Sequence, residues 1–220
     1  YKTAKAYILY REEHKKLREI RTIFLDVGDV VNGYIQDQEW RIKENANINF
    51  SFSGLLWHGI GSLMAYYALN NIYPKEISQA HLNGDFHLHN LSMCLCGYCA
   101  GWSLGQLLRE GFNGVPGRVE SLPAKHLRTA LAQLINFMGT LQNEWAGAQA
   151  FSSLDTYLAP FIRADNLTED QVKQAIQEFI FGMNITSRWG GQTPFSNISL
   201  DWTVPVDLKN QGAIIGGKIM

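Results

Sequence analysis

Charge is scarce in this sequence. Only 18% of its 220 residues are Asp, Glu, Lys or Arg, against 46% hydrophobic, and Lys+Arg 19 with Asp+Glu 20 leave a formal net charge of -1. The chain therefore has no bulk electrostatic footprint for a polyanion, which excludes a nucleic-acid binder of the basic-domain kind, DNA included. Cysteine is scarcer still. Three thiols, Cys94, Cys96 and Cys99, are an odd number, and the opening Tyr1-Lys2-Thr3-Ala4-Lys5 has no apolar core of a signal peptide, so a secreted disulfide framework is not expected. A cytoplasmic setting with reduced thiols is the expectation. No repeat, low-complexity tract or Gly-Lys-Ser/Thr phosphate loop occurs. What remains is enough apolar chain for one good-sized globular domain.

The little charge present is unevenly placed. Seventeen of the charged residues fall in the first 44 positions, and none occurs from Asn45 to Pro74. The opening stretch reads as an exposed helix plus linker. The charge-free run is long enough to be tested against the ~20 apolar residues of a membrane span. It fails that test, because Ser51, Ser53, His58, Ser62 and Asn70-Asn71 interrupt it and no flanking Lys/Arg bias appears. It reads as a buried helix, N-capped by Ser53 and ending near Asn70-Asn71, with Gly59 and Gly61 packed against another helix, in a subunit interface or in a plain core.

Further along, the sequence predicts a short helix over Pro74–Asn83 closed by Gly84, an extended apolar run from Phe86 to Leu95, and a long amphipathic helix over Leu122–Ala150 interrupted by Gly139. A helix over Thr168–Thr186 opens on a Thr168 cap, and the stretch Arg188–Asp201, uncharged between its two ends, reads as a loop leading into a short strand. A second charge-free span, Phe86 to Leu108, gathers His87, His89, Cys94, Cys96 and Cys99. The chemistry is concentrated there.

Asp85-Phe86-His87-Leu88-His89 puts three polar side chains on one face if extended, since residues two apart point the same way. His-x-His is a common metal half-site that needs further ligands, and hydrogen-bonded or substrate-binding histidines are the favoured alternative. Strand parity separates Cys99 from Cys94 and Cys96 unless a bulge at Gly97 intervenes, so no three-thiol metal knuckle is expected. The three are read as small buried side chains, or one of them as a redox or radical thiol facing a pocket. Gly190-Gly191 allows close backbone approach to a ligand, although a structural turn is the simpler reading.

Five segments in this order and spacing resemble the anaerobic, class III ribonucleoside-triphosphate reductases: Glu44-Asn45-Ala46-Asn47, Gly84 to Asn90, Tyr98-Cys99-Ala100-Gly101-Trp102, Leu158-Ala159-Pro160-Phe161, and Gly191-Gln192-Thr193-Pro194-Phe195. The resemblance covers nearly the whole chain. It implies a glycyl-radical enzyme built on a ten-stranded α/β barrel of two parallel halves, here helix-rich with short strands. Residues 1–30 would be the tail of an ATP-cone and a linker, and 31–220 the first half of the barrel. The family's finger-loop cysteine, glycyl radical and four-cysteine structural zinc would lie beyond Met220, and the chain alone would not turn over.

Carried over by motif, Cys99, placed by its spacing to Leu107-Leu108, would supply a reducing equivalent to the ribose, and His87 would be the active-site histidine. Asn90, Gly191, Gln192 and Thr193 would border the substrate, and no residue here would bind metal. Asn90 stands where the family keeps an aspartate. An amide cannot act as a base, which argues against formate and for a thiol reductant. The implied partners are ribonucleoside triphosphate, ATP and dNTP effectors, a radical-SAM activating protein and a second copy in a homodimer. Two rival readings belong to other classes: a metal-dependent hydrolase using Asp85, His87 and His89, and a non-catalytic nucleotide-binding and dimerisation module.

Overall fold

The computed structural model describes residues 26–36, 51–112, 120–189 and 191–220. The expectations for the ATP-cone tail, for Glu44–Asn47 and for Gly190 fall outside the described residues. The chain divides into two compact units, Tyr1–Cys96 with Trp189–Gln192 and Gly97–Arg188 with Thr193–Met220.

In the first unit, helix α1 (Val27–Ile35) is capped by Asp26 and docks through Tyr34, whose hydroxyl donates to Ser51 O and accepts from Ser51 N. That contact phases the next helix. Helix α2 (Phe52–Tyr67) is N-capped by Ser51, not by the expected Ser53, since Ser51 Oγ accepts Gly54 N–H at 2.9 Å. It runs into a π-helical turn at Ala68–Ile72, where Asn70 and Asn71 donate their amides back to Tyr66 O and Tyr67 O, and it stops before Pro74 as expected.

The burial expected for α2 is corrected. None of its residues is buried, and Phe52, Leu56, Ile60, Leu63 and Tyr67 form an exposed row. The expected helix partner for its glycines is also absent among the described residues. A Cβ at Gly61 would meet Ser92 Cβ at 3.0 Å, on the short 3-10 turn Leu91–Met93, and a Cβ at Gly59 would meet nothing within 4 Å. Helix α3 (Lys75–Asn83) follows Pro74 and is closed by Gly84 at φ 78, the left-handed cap that the sequence predicts.

The second unit carries the sheet. Strands β1 (Ala100–Trp102), β2 (Gln149–Phe151) and β3 (Ser196–Ile198) pair in parallel in the order β1-β2-β3. Parallel neighbours need crossovers. The first passes through α4 (Leu104–Glu110) and α5 (Leu127–Leu141), the second through α6 (Leu154–Ala164) and α7 (Glu169–Gly182). The expected long helix to Ala150 is therefore split: α5 ends at Leu141 and Gln149–Phe151 is a strand. The Thr168 cap is present as a full capping box with Gln171. A hairpin of β4 (Ile214–Ile215) and β5 (Lys218–Ile219) turns at Gly216 and Gly217, φ 58 and 78. Two positive φ values are what a two-residue hairpin turn demands, which gives those glycines their role.

Leu104 and Leu108 of α4, Leu127, Leu131, Leu134 and Met138 of α5, Phe151 of β2, Leu158 and Phe161 of α6 and Phe179 of α7 make one core under the sheet. Trp102 donates Nε1–H to the fully buried Gln149 Oε1 at 2.6 Å, tying β1 to β2 through side chains as well as backbone.

Candidate functional site

The histidine segment of the first unit is a turn, not the strand expected from alternation. Asn90 sits at φ 53 and opens the 3-10 turn, with Met93 N–H donating to its carbonyl at 2.9 Å. Asparagine tolerates this left-handed conformation better than most residues. His87 Nε2 and His89 Nδ1 nevertheless meet at 3.4 Å. Sequence reading missed His81, which the fold adds from the last turn of α3. Its Nδ1 accepts Leu88 N–H at 3.0 Å, and its ring lies 5.6 Å from that of His87. Burial, then the neighbouring His87, push the His81 imidazole below its ordinary value, against a hydrogen bond that the ring donates to the Phe86 backbone. The neutral ring this favours keeps Nδ1 available as an acceptor. Nothing in a single sequence links position 81 to 88, so this signal was tertiary.

Among the described residues no group of three or more His, Cys, Asp or Glu side chains could hold a metal ion. With the two imidazoles of His87 and His89 turned on each other, the hydrolase reading is not favoured. A four-cysteine zinc site does not fit a chain with three thiols.

The three cysteines occupy different surroundings. Cys94 and Cys96 are half-buried in the first unit, with their thiols directed to Met64 O and Met93 O. Cys99 is exposed in the second unit, immediately before β1. Its sulfur is held by an irregularity in the sheet. Gly97 bridges Trp145 and Ala100 pairs with Gln149, so the stretch before β2 carries one residue more than the stretch before β1 that it faces. This is a bulge, and bulges leave a residue off the ladder. Ala146 N–H reaches Gly97 O at 2.9 Å, Gly147 N–H reaches Tyr98 O, and Ala100 N–H reaches Ala148 O at 3.0 Å. The N–H of Ala148 then donates to Cys99 Sγ at 3.2 Å. Gly147 is required there, because a Cβ would run into Cys99 Sγ and lie 2.7 Å from Tyr98 O.

Of the remaining sequence candidates, Gly191 and Gln192 belong to the first unit and Thr193 to the second, while His87 and Asn90 belong to the first. Arg188, which opens the stretch read from sequence as a loop, is buried in the second unit. It donates from Nη2 to Trp145 O and Ala146 O, both at 2.8 Å.

A parallel α/β sheet covered by helices, with an exposed thiol bonded at the bulge beside its first strand, describes a segment of an α/β domain. Within that class the family is definite. The family model described as anaerobic ribonucleoside-triphosphate reductase matches residues 44–217, and the chain belongs to that family. Its relatives include the anaerobic ribonucleoside-triphosphate reductases of Salmonella typhimurium, 26% identical, and Escherichia coli, 25% identical, each alignment covering 87% of this chain and 30% of the relative. The chain thus spans about 30% of the length of these curated relatives. Among solved structures, the Thermotoga maritima anaerobic ribonucleotide reductase with citrate in its active site superposes with TM-score 0.60 at 20% identity, covering 89% of this chain and 37% of that one. A further anaerobic ribonucleotide reductase gives TM-score 0.62 at 20% identity, over 89% and 34%. These likenesses establish the fold of the segment.

Proposed function

We propose that this chain supplies the first half of the catalytic barrel of an enzyme that reduces ribonucleoside triphosphates to deoxyribonucleoside triphosphates without oxygen. The observation that carries this reading is Cys99: in a chain of this family, one of three thiols is exposed at the start of a parallel strand and held by a backbone N–H. The ordered β1-β2-β3 sheet supports a parallel half-barrel. A glycyl radical, on a residue outside this segment, supplies the unpaired electron for the reaction. In this chain Cys99 hands a reducing equivalent to the ribose, His87 lies at the reacting end of the substrate, and Asn90, Gly191, Gln192 and Thr193 border it.

The Thermotoga maritima anaerobic ribonucleotide reductase was crystallised in complex with dATP and CTP, and with dATP bound in the specificity site. That supports nucleotide substrates and effectors for the complete protein here, with activation by a radical-SAM partner, a homodimeric assembly and a cytoplasmic setting. No described helix is long and apolar enough to cross a membrane. Asn90 favours a thiol over formate as reductant, since it lacks the carboxylate a base would need.

The test is Cys99→Ser in the complete enzyme, activated anaerobically and assayed for deoxynucleotide formation. Loss of product with nucleotide binding retained is the expected result. Product formed at the wild-type rate would remove Cys99 from the chemistry.

A further inference from the structure

Arg188 lies far in sequence from Cys99, yet the two carbonyls that open the Cys99 bulge are hydrogen-bonded to it. Its backbone is fixed first. Gln142, at the end of α5, donates its amide to Ser187 Oγ, and Asn143 donates its own to Ser187 O at 3.3 Å, so the residue before Arg188 is pinned to the α5 terminus. From there Arg188, a residue only 7% exposed, reaches two successive carbonyls, Trp145 O and Ala146 O, with its guanidinium. Those peptides are the first half of the bulge. The next two N–H groups close on Tyr98 O and on Cys99 Sγ. Burying a charged group is costly unless its donors are satisfied, so a guanidinium spent on main-chain carbonyls is a poor choice for stability alone. Both bonds come from the one nitrogen Nη2, whose two N–H groups are fixed in the guanidinium plane and so hold the two peptide planes at one angle.

We propose that Arg188 is a positioning residue for Cys99: by clamping the Trp145 and Ala146 carbonyls it fixes the bulge, and the bulge aims the Ala148 N–H that orients the Cys99 sulfur. The proposal rests on the reading of Cys99 given above. It assigns Arg188 no contact with the substrate.

The experiment uses the complete, anaerobically activated enzyme carrying Arg188→Ala or Arg188→Lys, with thermal melting run beside kinetics. In Arg188→Ala, kcat is expected to fall about tenfold, the loss of one well-placed hydrogen bond at the reacting group, while KM for the nucleotide stays within about twofold. Guanidinium ion at a concentration that leaves the wild type unaffected should restore part of that kcat by refilling the cavity. Lysine offers a freely rotating ammonium on a shorter side chain in place of the fixed, planar Nη2, so Arg188→Lys should also turn over slowly. Wild-type kcat in a variant that merely melts earlier would overturn the proposal, as would a kcat loss that guanidinium leaves untouched. If Arg188→Ala does not fold, Arg188→Lys carries the test alone: wild-type kcat there sinks the clamp. Cys99→Ser run in parallel separates the two readings. An active Cys99→Ser enzyme defeats the function assigned to the thiol, whereas an inactive one beside a fully active Arg188→Ala defeats only the positioning role.

Discussion

At Gly147 the missing Cβ is a condition of the thiol beside it. Gly147→Ala would place a methyl into Cys99 Sγ and against the Tyr98 carbonyl, which is backbone and cannot swing aside. Overpacking of this kind costs about 1–3 kcal/mol. A urea midpoint lowered accordingly is expected, and a variant as stable as wild type would mean the bulge is looser than described. Asp165 is a second residue with two tasks. It accepts from Leu127 N at 3.1 Å and from His126 Nδ1 at 2.7 Å, capping the start of α5. The His126 bond first, and the Leu127 N–H with it, hold its carboxyl below the ordinary 3.8, against burial. The fold favours the charged form, so the contribution is complete above 3.8 and is lost as the pH falls through the lowered value. Asp165→Asn should therefore be less stable than wild type at neutral pH, by about 1 kcal/mol for a weakened cap, and the gap should close in acid. A gap of constant size down the acid range would refute the linkage. His81 works with the opposite charge. Its neutral form is favoured, so its contribution is present above 6.5 and fades as the pH falls below it. The protection of the Leu88 amide against hydrogen exchange, corrected for intrinsic rates, should weaken below that value. His81→Asn, which keeps an acceptor without a titrating ring, should show no such change.

Among the elements, those whose ends are written in local chemistry were legible in advance. Helix α3 lies between Pro74 and Gly84, and α7 opens on Thr168 with Gln171 three residues on. Thr168→Ala should lower the melting temperature through the loss of about 1 kcal/mol of capping, and no change would mean Gln171 suffices. Elements decided by tertiary contacts were not legible. Periodicity alone continues from Leu122 to Ala150, but the helix begins only at Leu127, Arg188 and the bulge take the chain out of helix after Leu141, and β2 is three residues with Gln149 and Phe151 both buried. So short a buried strand has no alternation to read. The Asp85–His89 run alternates like a strand, yet His81 draws Leu88 back to α3 and Asn90 reverses the backbone. Ser51 outcompetes Ser53 as a cap because Tyr34 anchors the peptide at 51. Of the candidate site, strand parity does not explain why Cys99 differs from the other two thiols, because Cys94 and Cys96 lie in turns, and a bulge in the partner strand, not at Gly97, creates the Cys99 hydrogen bond.

Across the whole chain, the shortage of charge has a visible counterpart in exposed apolar surface. Phe52, Leu56, Ile60, Leu63 and Tyr67 recur at three- and four-residue steps along α2, and each is between 46% and 72% exposed. Contiguous apolar patches of this kind are uncommon on the free surface of a soluble protein and mark surfaces covered by something else. The segment is about 30% of the length of its relatives, so the isolated 220 residues and the complete protein make a direct comparison. The isolated chain should bind a hydrophobic dye strongly. Leu56→Gln with Leu63→Gln should reduce that binding while leaving the helical circular dichroism unchanged, because glutamine is as good a helix former as the residues it replaces. In the complete protein the same dye should bind weakly per mole, and the double variant should lower its stability, since two covered leucines would each lose about 1.5–3 kcal/mol of burial. Equal dye binding by the isolated chain and the complete protein would show that the α2 row stays open to solvent, and the expectation of a covered helix would then fail for the complete protein as well.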